Sequence, residues 1–455
     1  MANSLTGSTL TSAISSTEAM QQIFSARSTL QRMLDVEAAL ARALAAKGVI
    51  PVSAVDPWVR CCQADQIDLP SLVIAAQDAG NVAIPMVKQL TAAVAALDAD
   101  AARYVHWGAT SQDVIDTGRV LQLRDAINVI THELATLVDA LAGMAQCYRD
   151  TPMIGRTWLQ HALPITFGMK LAGWLDALLR HQQRLVACRE QVCMLQFGGA
   201  SGTLASLGEH ASSVAQAMAQ ELDLTTPHLP WHAHRDRFVE CATTLGMLTG
   251  TLGKIARDIS LMSQTEVAEL SEPGAPGRGA SSSMPHKRNP VGSAAVLSAA
   301  TRVPSMVATL LSAMPNEHER ALGGWQSEWE TLPEIVSLSA AALAHLRGVI
   351  DGLHVDTERM RRNMDASRGM VMAESVVLAL ATSLGRAQAH QIIETACHKA
   401  YAENSDLLTV LQAEPQVVGA LSKQRLEQLF DPLSYVGEAG AFVDRVLEAY
   451  QQRQR

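Results

Sequence analysis

Residues 271–293 form the most chemically dense stretch of the sequence. Its hydroxyl, imidazole, ammonium and amide side chains are Ser281, Ser282, Ser283, His286, Lys287 and Asn289. Groups of this kind can move a proton and hold an anion. Four glycines and four prolines exclude a regular helix or a central strand. The composition is typical of a solvated linker, but the stiff apolar pair Met284-Pro285 and the turn signal Asn289-Pro290 favour a loop with an open and a docked state.

Three other loops combine glycine with polar side chains, and each lies at the end of a long helical pattern. They are residues 105–113, 155–164 and 316–329. In the first loop, Thr110 followed three residues later by Asp113 is a capping-box-like start of a helix. Because the ends of helical bundles are common places for a binding site, these loops are candidates to assemble one.

The elements that must position these loops are helices. Apolar residues recur at spacings of three and four, and almost no stretch alternates as a strand does. Aromatic residues make up only 4% of the chain, so Ala, Leu, Val and Met must form the core, which suits close-packed helices. The long helices are predicted over residues 18–47, 112–149, 165–194, 234–269, 291–314 and 331–350. The predicted fold class is therefore all-α, with a central long-helix bundle.

The helical patterns divide the chain into three parts. Residues 1–110, with the helix over 18–47 and shorter helices around prolines over 51–105, are predicted to form an N-terminal helical domain. Residues 111–355 contain the central long-helix bundle. Residues 356–455 return to shorter helices, which predicts a small C-terminal helical domain. The length of 455 residues is ample for such an arrangement.

Charge and composition exclude several classes of protein. The formal charge of −9, without a run of Lys or Arg, argues against nucleic-acid binding. The seven cysteines show no CxxC pair and no Cys/His cluster, so we expect reduced cytosolic thiols. The histidines and acids show no metal-binding spacing, so no metal is expected. No signal peptide and no uncharged apolar stretch of bilayer length is recognisable, which predicts a cytoplasmic protein without a membrane partner.

Residues 281–290 resemble the signature loop of the fumarase/aspartase superfamily, Gly-Ser-Ser-x-Met-Pro-x-Lys-x-Asn, with Ala280 where glycine is usual. Residues 107–113 and 155–160 are similar to two other superfamily regions and follow the expected order. One short motif is a weak signal, whereas three in order make a chance match very unusual. Residues 367–375 resemble adenylosuccinate lyase. Residues 319–329 look most like the bacterial cycloisomerases that act on 3-carboxy-cis,cis-muconate.

The resemblance implies an all-α homotetramer whose sites combine loops from different subunits, without a cofactor. Superfamily members remove a proton next to a carboxylate and expel a group from the neighbouring carbon. By the superfamily register, Ser281 transfers the proton, and Lys287 stabilises its alkoxide and, with Asn289, the enolate-like carboxylate. The residues expected to bind the other carboxylates or to line the pocket are Thr110, Ser111, Trp158, Gln160, His161, Ser282, Met284 and Arg320. His106 is a further candidate.

Trp158 is the most informative departure from the superfamily pattern. Many superfamily lyases carry at this position a histidine that assists the leaving group. An amine or a hydroxide needs such an acid, but a carboxylate departs as a stable anion because its conjugate acid has a pKa of about 4. Tryptophan at this position therefore favours the lactonisation of 3-carboxy-cis,cis-muconate, a small tricarboxylate, to 4-carboxymuconolactone within protocatechuate breakdown.

Several alternatives stay open at this stage. The chain could be an adenylosuccinate-type lyase that breaks a C–N bond, or a catalytically silent structural or binding protein on the same fold. Thr110 and Ser111 could serve only as a helix cap. His161 could be an ordinary partly buried histidine, and Ser282 instead of Ser281 could transfer the proton.

Overall fold

The computed structural model describes residues 13–274, 279–280, 283–284, 286–320 and 322–454. Helices dominate this part of the chain, which confirms the predicted all-α class. Ser281 and Ser282 lie outside the described residues, so the roles expected of them stay predictions.

Eighteen α-helices occur in the described ranges. They are α1 (Glu18–Ile23), α2 (Ala26–Ala46), α3 (Val55–Cys61), α4 (Leu69–Ala79), α5 (Ala83–Leu97), α6 (Ser111–Cys147), α7 (Phe167–Val192), α8 (Ala211–Glu221), α9 (Asp236–Met262), α10 (Val291–Ala313), α11 (Gly324–Ile350), α12 (Thr357–Asp365), α13 (Ala373–Leu384), α14 (Arg386–Glu403), α15 (Leu407–Gln412), α16 (Pro415–Ala420), α17 (Lys423–Leu429) and α18 (Ala439–Gln454). Short 3-10 helices connect several of them.

Three of the predicted long helices have different bounds in the structure. The predicted helix 18–47 is broken after α1, because Ser25 caps α2 by accepting from the N–H of Ser28. α9 ends at Met262 and not at residue 269, and Ala268 takes a left-handed φ of 49° in the segment that follows. α11 begins seven residues before the predicted position 331, at Gly324.

The predicted irregular segment 151–164 is instead an antiparallel hairpin of two strands. These strands are β1 (Pro152–Thr157) and β2 (Gln160–Thr166). A two-residue turn, Trp158-Leu159, joins them with φ values of 54° and 63°. Such turns normally carry Asn-Gly or Asp-Gly, so the usual hairpin signal is absent from the sequence. A second, shorter ladder pairs β3 (Leu270–Ser271) with β4 (His354–Val355).

Contacts divide the chain into two compact units. The first unit comprises Met1–Leu134, His181–Gly253 and Ala295–His345, and the second comprises Ala135–Arg180, Lys254–Ala294 and Leu346–Arg455. A buried cluster in the first unit includes Leu34, Leu40 and Trp58, and one in the second includes Val376 and Leu380. The predicted three-domain division at residues 110 and 355 stays a proposal.

The helix α10 is long and apolar enough to cross a bilayer by length and composition alone, with a mean hydropathy of 1.4. The bent pair α12 and α13 passes the same test when both are counted as one segment. Within the first unit, however, Ala300 of α10 faces Gly253 of α9 so closely that an added Cβ on Gly253 would lie 2.6 Å from it. Arg302 of α10 also pairs with Glu334 of α11. These contacts are those of a bundle helix.

Candidate active site

Asp113 organises the turn that precedes α6 in the first unit. Its carboxylate is 1% exposed and accepts from the backbone N–H groups of Thr110, Gly198 and Gly199, each at 2.9 Å. His232 Nε2 lies 2.6 Å from the same carboxylate. A buried carboxylate is tolerated only when donors satisfy its oxygens. These four donors therefore fix the turn and two neighbouring loops to one another.

Arg320 brings a cation to this turn. Its Nη1 donates to Thr110 Oγ1 at 2.8 Å, and its Nε lies 3.4 Å from Gln112 Oε1. Ser111 is the first residue of α6, where free N–H groups and the helix dipole favour a negative charge. A role as helix cap explains why the Thr110 N–H donates a hydrogen bond to Asp113. It does not explain the Thr110 hydroxyl, which accepts from Arg320. The structure thus groups three predicted site residues in the first unit, and their contact with substrate stays a prediction.

A buried ion network supports this part of the first unit, and the sequence reasoning missed it. Arg235 is fully buried and donates to Asp116 at 2.7 Å and to Glu328 at 2.9 Å. Trp325 Nε1 donates to Asp116 at 2.9 Å, and the guanidinium lies 5.1 Å from the ring centre of Trp231. Burial opposes the charged form of Arg235, but the two carboxylates outweigh it and raise its pKa. Burial in turn raises the pKa of Glu328, against the lowering effect of Arg235.

His106 has a partner that accounts for its position. Its Nδ1 lies 2.5 Å from Glu37 Oε1, and Glu37 is completely buried. Burial lowers the pKa of His106, but the adjacent carboxylate outweighs burial and the net shift is upward. His106 therefore serves this ion pair, which favours a structural role over substrate binding.

The β1–β2 hairpin carries the second group of predicted residues in the second unit. Thr157 pairs with Gln160 across the turn, and Arg156 pairs with His161. Trp158 at the tip is 98% exposed. Burial, and then the nearby Arg156 guanidinium, lower the pKa of His161, which keeps this imidazole neutral around pH 7.

Gln160 and His161 line a cavity of about 740 Å³ within the second unit. The start of the C-terminal region supplies the rest of its wall, including Ser367, Met370 and Glu374. In the sequence, residues 367–375 stand out only for their resemblance to adenylosuccinate lyase. Five of them, Ser367, Met370, Val371, Ala373 and Glu374, line this pocket and become candidate lining residues.

The 271–293 loop is tied down at both ends. β3 holds its start to β4, with Ser271 opposite His354. The Glu272 carboxylate accepts from the N–H groups of Gly292 and Ser293, at 2.9 and 2.7 Å, and from the Ser293 hydroxyl at 2.7 Å. The two ends of the loop are thus joined at the first residues of α10. A solvated linker does not fit such anchoring, whereas the open and docked states expected of this loop stay a prediction.

The described residues inside the loop show that the chain turns back on itself. Ala280 forms an antiparallel bridge with Arg288, and Asn289 N–H donates to Gly279 O at 2.9 Å. Lys287 is exposed and Asn289 half-buried, and both line a cavity of about 680 Å³ together with Glu272. Met284 is 40% exposed. Lys287 and Asn289 therefore share one cavity, while Gln160 and His161 line another.

We expect Gly279→Ala to lower kcat at least about tenfold with little loss of stability, because a misplaced catalytic loop is costly to turnover. Gly279 has a φ of 67°, and an added Cβ would lie 2.6 Å from Asn289 O. The substitution must therefore displace the backbone at Asn289, two residues after Lys287. Steady-state kinetics and urea unfolding check the two expectations.

Gly274→Ala is the matched control for this change. It lies in the same loop, but among the described residues a Cβ there would meet the Arg288 guanidinium at ordinary distances, 3.5 Å from Nη1 and 3.7 Å from Cζ. Near-parental turnover of this variant is expected. Equal kcat values for the two variants would contradict the importance of the turn at Gly279.

Across the described residues, no group of three or more His, Cys, Asp or Glu is arranged to hold a metal ion.

Two family models match the chain. A lyase family model matches residues 13–305, and a model of the adenylosuccinate lyase C-terminus matches residues 369–446. With the all-α fold and the signature loop, these matches define a class: the chain belongs to the lyase family of the fumarase/aspartase superfamily. The predicted membership is therefore confirmed.

Several relatives carry the same enzyme name. The 3-carboxy-cis,cis-muconate cycloisomerases of Pseudomonas aeruginosa and Bradyrhizobium diazoefficiens are 54% and 50% identical to the chain. The matches cover 94% and 96% of this chain and 93% and 97% of those proteins. The solved structure of the 3-carboxy-cis,cis-muconate lactonizing enzyme from Pseudomonas putida has a TM-score of 0.94 at 51% identity. That match covers 98% of this chain and all of the other.

Proposed function

We propose that this chain is a cycloisomerase that converts 3-carboxy-cis,cis-muconate into 4-carboxymuconolactone. The observation that carries the proposal is the identity of about half of all residues, over nearly the whole chain, with enzymes of that name. Trp158 supports it on separate chemical grounds. Lactone closure and its reversal need no acid for the leaving group, because that group is a carboxylate.

The reaction joins a carboxylate oxygen to an alkene carbon of the same molecule. As the C–O bond forms, the electron pair of the double bond moves towards the neighbouring carboxylate and gives an enolate-like intermediate. Ser281 then delivers a proton to the carbon that lies between the newly bonded carbon and the enolate-like carboxylate. The resulting Ser281 alkoxide is stabilised by Lys287 and by N–H groups of the loop. Asn289 holds the enolate-like carboxylate together with Lys287.

The remaining carboxylates are assigned to two groups of residues. In the first group the Arg320 guanidinium and the Thr110 hydroxyl, already 2.8 Å apart, offer a cation and a donor to one carboxylate. Ser111 adds a hydroxyl at the helix start. In the second group Gln160 and His161 donate as neutral side chains. Ser282 and Met284 complete the lining from the loop.

We further propose a cytoplasmic homotetramer whose sites combine loops of different subunits and which acts in protocatechuate breakdown. The exposed hairpin tip supports the assembly. Trp158 and Leu159 are 98% and 76% exposed in the isolated chain, and adjacent large apolar side chains on a protruding tip are typical of a surface that another chain covers. In this assembly Trp158 forms a wall of the substrate pocket.

The purified protein should consume 3-carboxy-cis,cis-muconate, with loss of the ultraviolet absorbance of its conjugated diene, and leave adenylosuccinate unchanged. The match of residues 369–446 to the adenylosuccinate lyase C-terminus makes the second substrate the informative comparison. Turnover of adenylosuccinate alone would overturn the proposal. Inactivity on both substrates would favour a silent binding protein on this fold.

A further inference from the structure

A bidentate ion pair joins two segments of the second unit that are far apart in sequence. Arg156 Nη1 and Nη2 donate to the two carboxylate oxygens of Glu269, at 2.9 and 2.6 Å. The Glu269 side chain is 0% exposed and that of Arg156 only 22%. Paired bonds of this kind fix orientation as well as distance.

Glu269 connects this pair to the start of the loop. It directly precedes β3, and its backbone O accepts from Asp356 N–H at 3.0 Å. Its carboxylate also accepts from Asn363 Nδ2 at 2.8 Å, and the same amide reaches Val267 O at 2.7 Å. The carboxylate thus holds together the strand β1, the helix α12 and the segment from which the loop with Lys287 and Asn289 begins.

Arg156 connects the pair to the tip of the hairpin. The ladder of β1 and β2 shifts register between Ile154 and Arg156, because Gly155 of β1 lies opposite two residues of β2, Ala162 and Leu163. An added Cβ on Gly155 would lie 2.8 Å from Leu163 O, so this irregular pairing needs glycine. Arg156 lies opposite His161 and two residues before Trp158. It is therefore the last charged anchor before the turn.

The turn itself needs an anchor. Trp158 and Leu159 both take left-handed φ values, which costs a non-glycine residue roughly 1–2 kcal/mol. A strained conformation persists only where the surrounding structure enforces it. The Trp158 and Leu159 side chains are mostly exposed. The contacts that can enforce the turn therefore lie at its base, where Arg156 pairs with Glu269.

We propose that Arg156 and Glu269 are positioning residues that fix the hairpin tip relative to the loop bearing Lys287 and Asn289. Neither residue needs to touch the substrate. The pair sets the geometry of two substrate-binding elements through one buried contact. The catalytic part of this inference rests on the proposed function, whereas the mechanical coupling of the two segments does not.

Hydrogen exchange of the purified full-length protein tests the coupling without any substrate. We expect Glu269→Gln, which keeps the shape and removes the charge, to accelerate exchange at least about fivefold in two segments, residues 152–166 and 268–274, because their shared contact is lost. The matched control is Arg362→Ala. It removes a surface pair with Asp356 at 3.9 Å, on the same helix as Asn363, and should leave both segments within about twofold of the parent.

Kinetics of the same variants test the positioning role. Glu269→Gln should lower kcat at least about tenfold while KM changes less than about threefold, since misplacement of groups affects the reacting geometry more than binding. Glu269→Asp, which keeps the charge, should recover part of kcat. If Glu269→Gln does not fold, Glu269→Asp and Arg156→Lys replace it in both measurements.

Three results would overturn the inference. They are faster exchange confined to residues 268–274, faster exchange in both segments with an unchanged kcat, and an equal effect of Arg362→Ala. If the parent protein acts on adenylosuccinate instead, the proposed function fails. Hydrogen exchange, together with kcat measured on adenylosuccinate, then still tests whether Arg156 and Glu269 position the two segments.

Discussion

Replacing Ser281 with alanine is expected to reduce turnover of 3-carboxy-cis,cis-muconate by a factor of about 10²–10⁴, the usual contribution of one acid–base group. The Ser281 hydroxyl is the proposed proton donor to carbon. Ser282 is the alternative donor in the same loop. The rate of loss of the diene absorbance of the substrate measures turnover. Circular dichroism and gel filtration establish that the variant keeps its fold and assembly.

Two neighbouring serines provide the controls. Ser283→Ala changes an exposed serine of the same loop to which no catalytic role is assigned, and it should keep turnover within about threefold of the parent. Ser282→Ala separates the two candidate donors. A large loss in Ser282→Ala with near-parental turnover in Ser281→Ala would move the proton to Ser282.

The loops were predictable because each departs from the helical pattern around it. Glycine, proline and clustered polar residues mark 271–293 and 105–113 in an otherwise Ala- and Leu-rich chain. The helices were predictable because their apolar spacing is regular: Ile127, Ile130 and Leu134 of the predicted seam are all completely buried. Local chemistry and periodicity are the two signals that a single sequence carries well.

The hairpin was missed because its turn lacks the expected residues. A Trp-Leu pair with positive φ is rare, and the two strands contain Gly155 and Pro164, residue types that weaken the sequence signal of a strand. The contact that anchors it, from Arg156 to Glu269, spans 113 positions. The sequence pattern predicted Glu269 as the last residue of a helix. Because α9 ends at Met262, Glu269 lies outside the helix and contacts the hairpin through Arg156.

The buried Arg235 network was missed for a related reason. Its carboxylate partners are 119 and 93 positions away in sequence. An arginine in a helical pattern ordinarily reads as a solvated side chain. Nothing local distinguishes Arg235 from Arg237, which is half-buried and donates to Gln191 O. Arg235 directly precedes α9 and Arg237 lies in its first turn, so the two offer a direct comparison of a fully buried and a partly exposed arginine.

Arg235→Met is expected to lower the free energy of unfolding by about 3–5 kcal/mol, the usual cost of removing one partner from a buried ion pair. The substitution leaves Asp116 and Glu328 buried near each other without the cation that pairs with both, although the charge of Arg119 still acts on them. Burial already raises the pKa of Glu328 in the parent protein, against the opposing effect of Arg235. Without Arg235, the folded-state pKa of this acid must rise further above its unfolded value.

The sign of the pH dependence follows from that shift. An acid whose pKa is higher in the folded state destabilises the protein where it is ionised and ceases to do so where it is protonated. The stability deficit of Arg235→Met should therefore be greatest near pH 8 and shrink as the pH falls towards 5. Urea unfolding at fixed protein concentration measures it at each pH. The free energy of unfolding of Arg237→Met should stay within about 0.5 kcal/mol of the parent at every pH. If the stability deficit of Arg235→Met does not vary with pH, lost packing and not the buried carboxylates sets the cost.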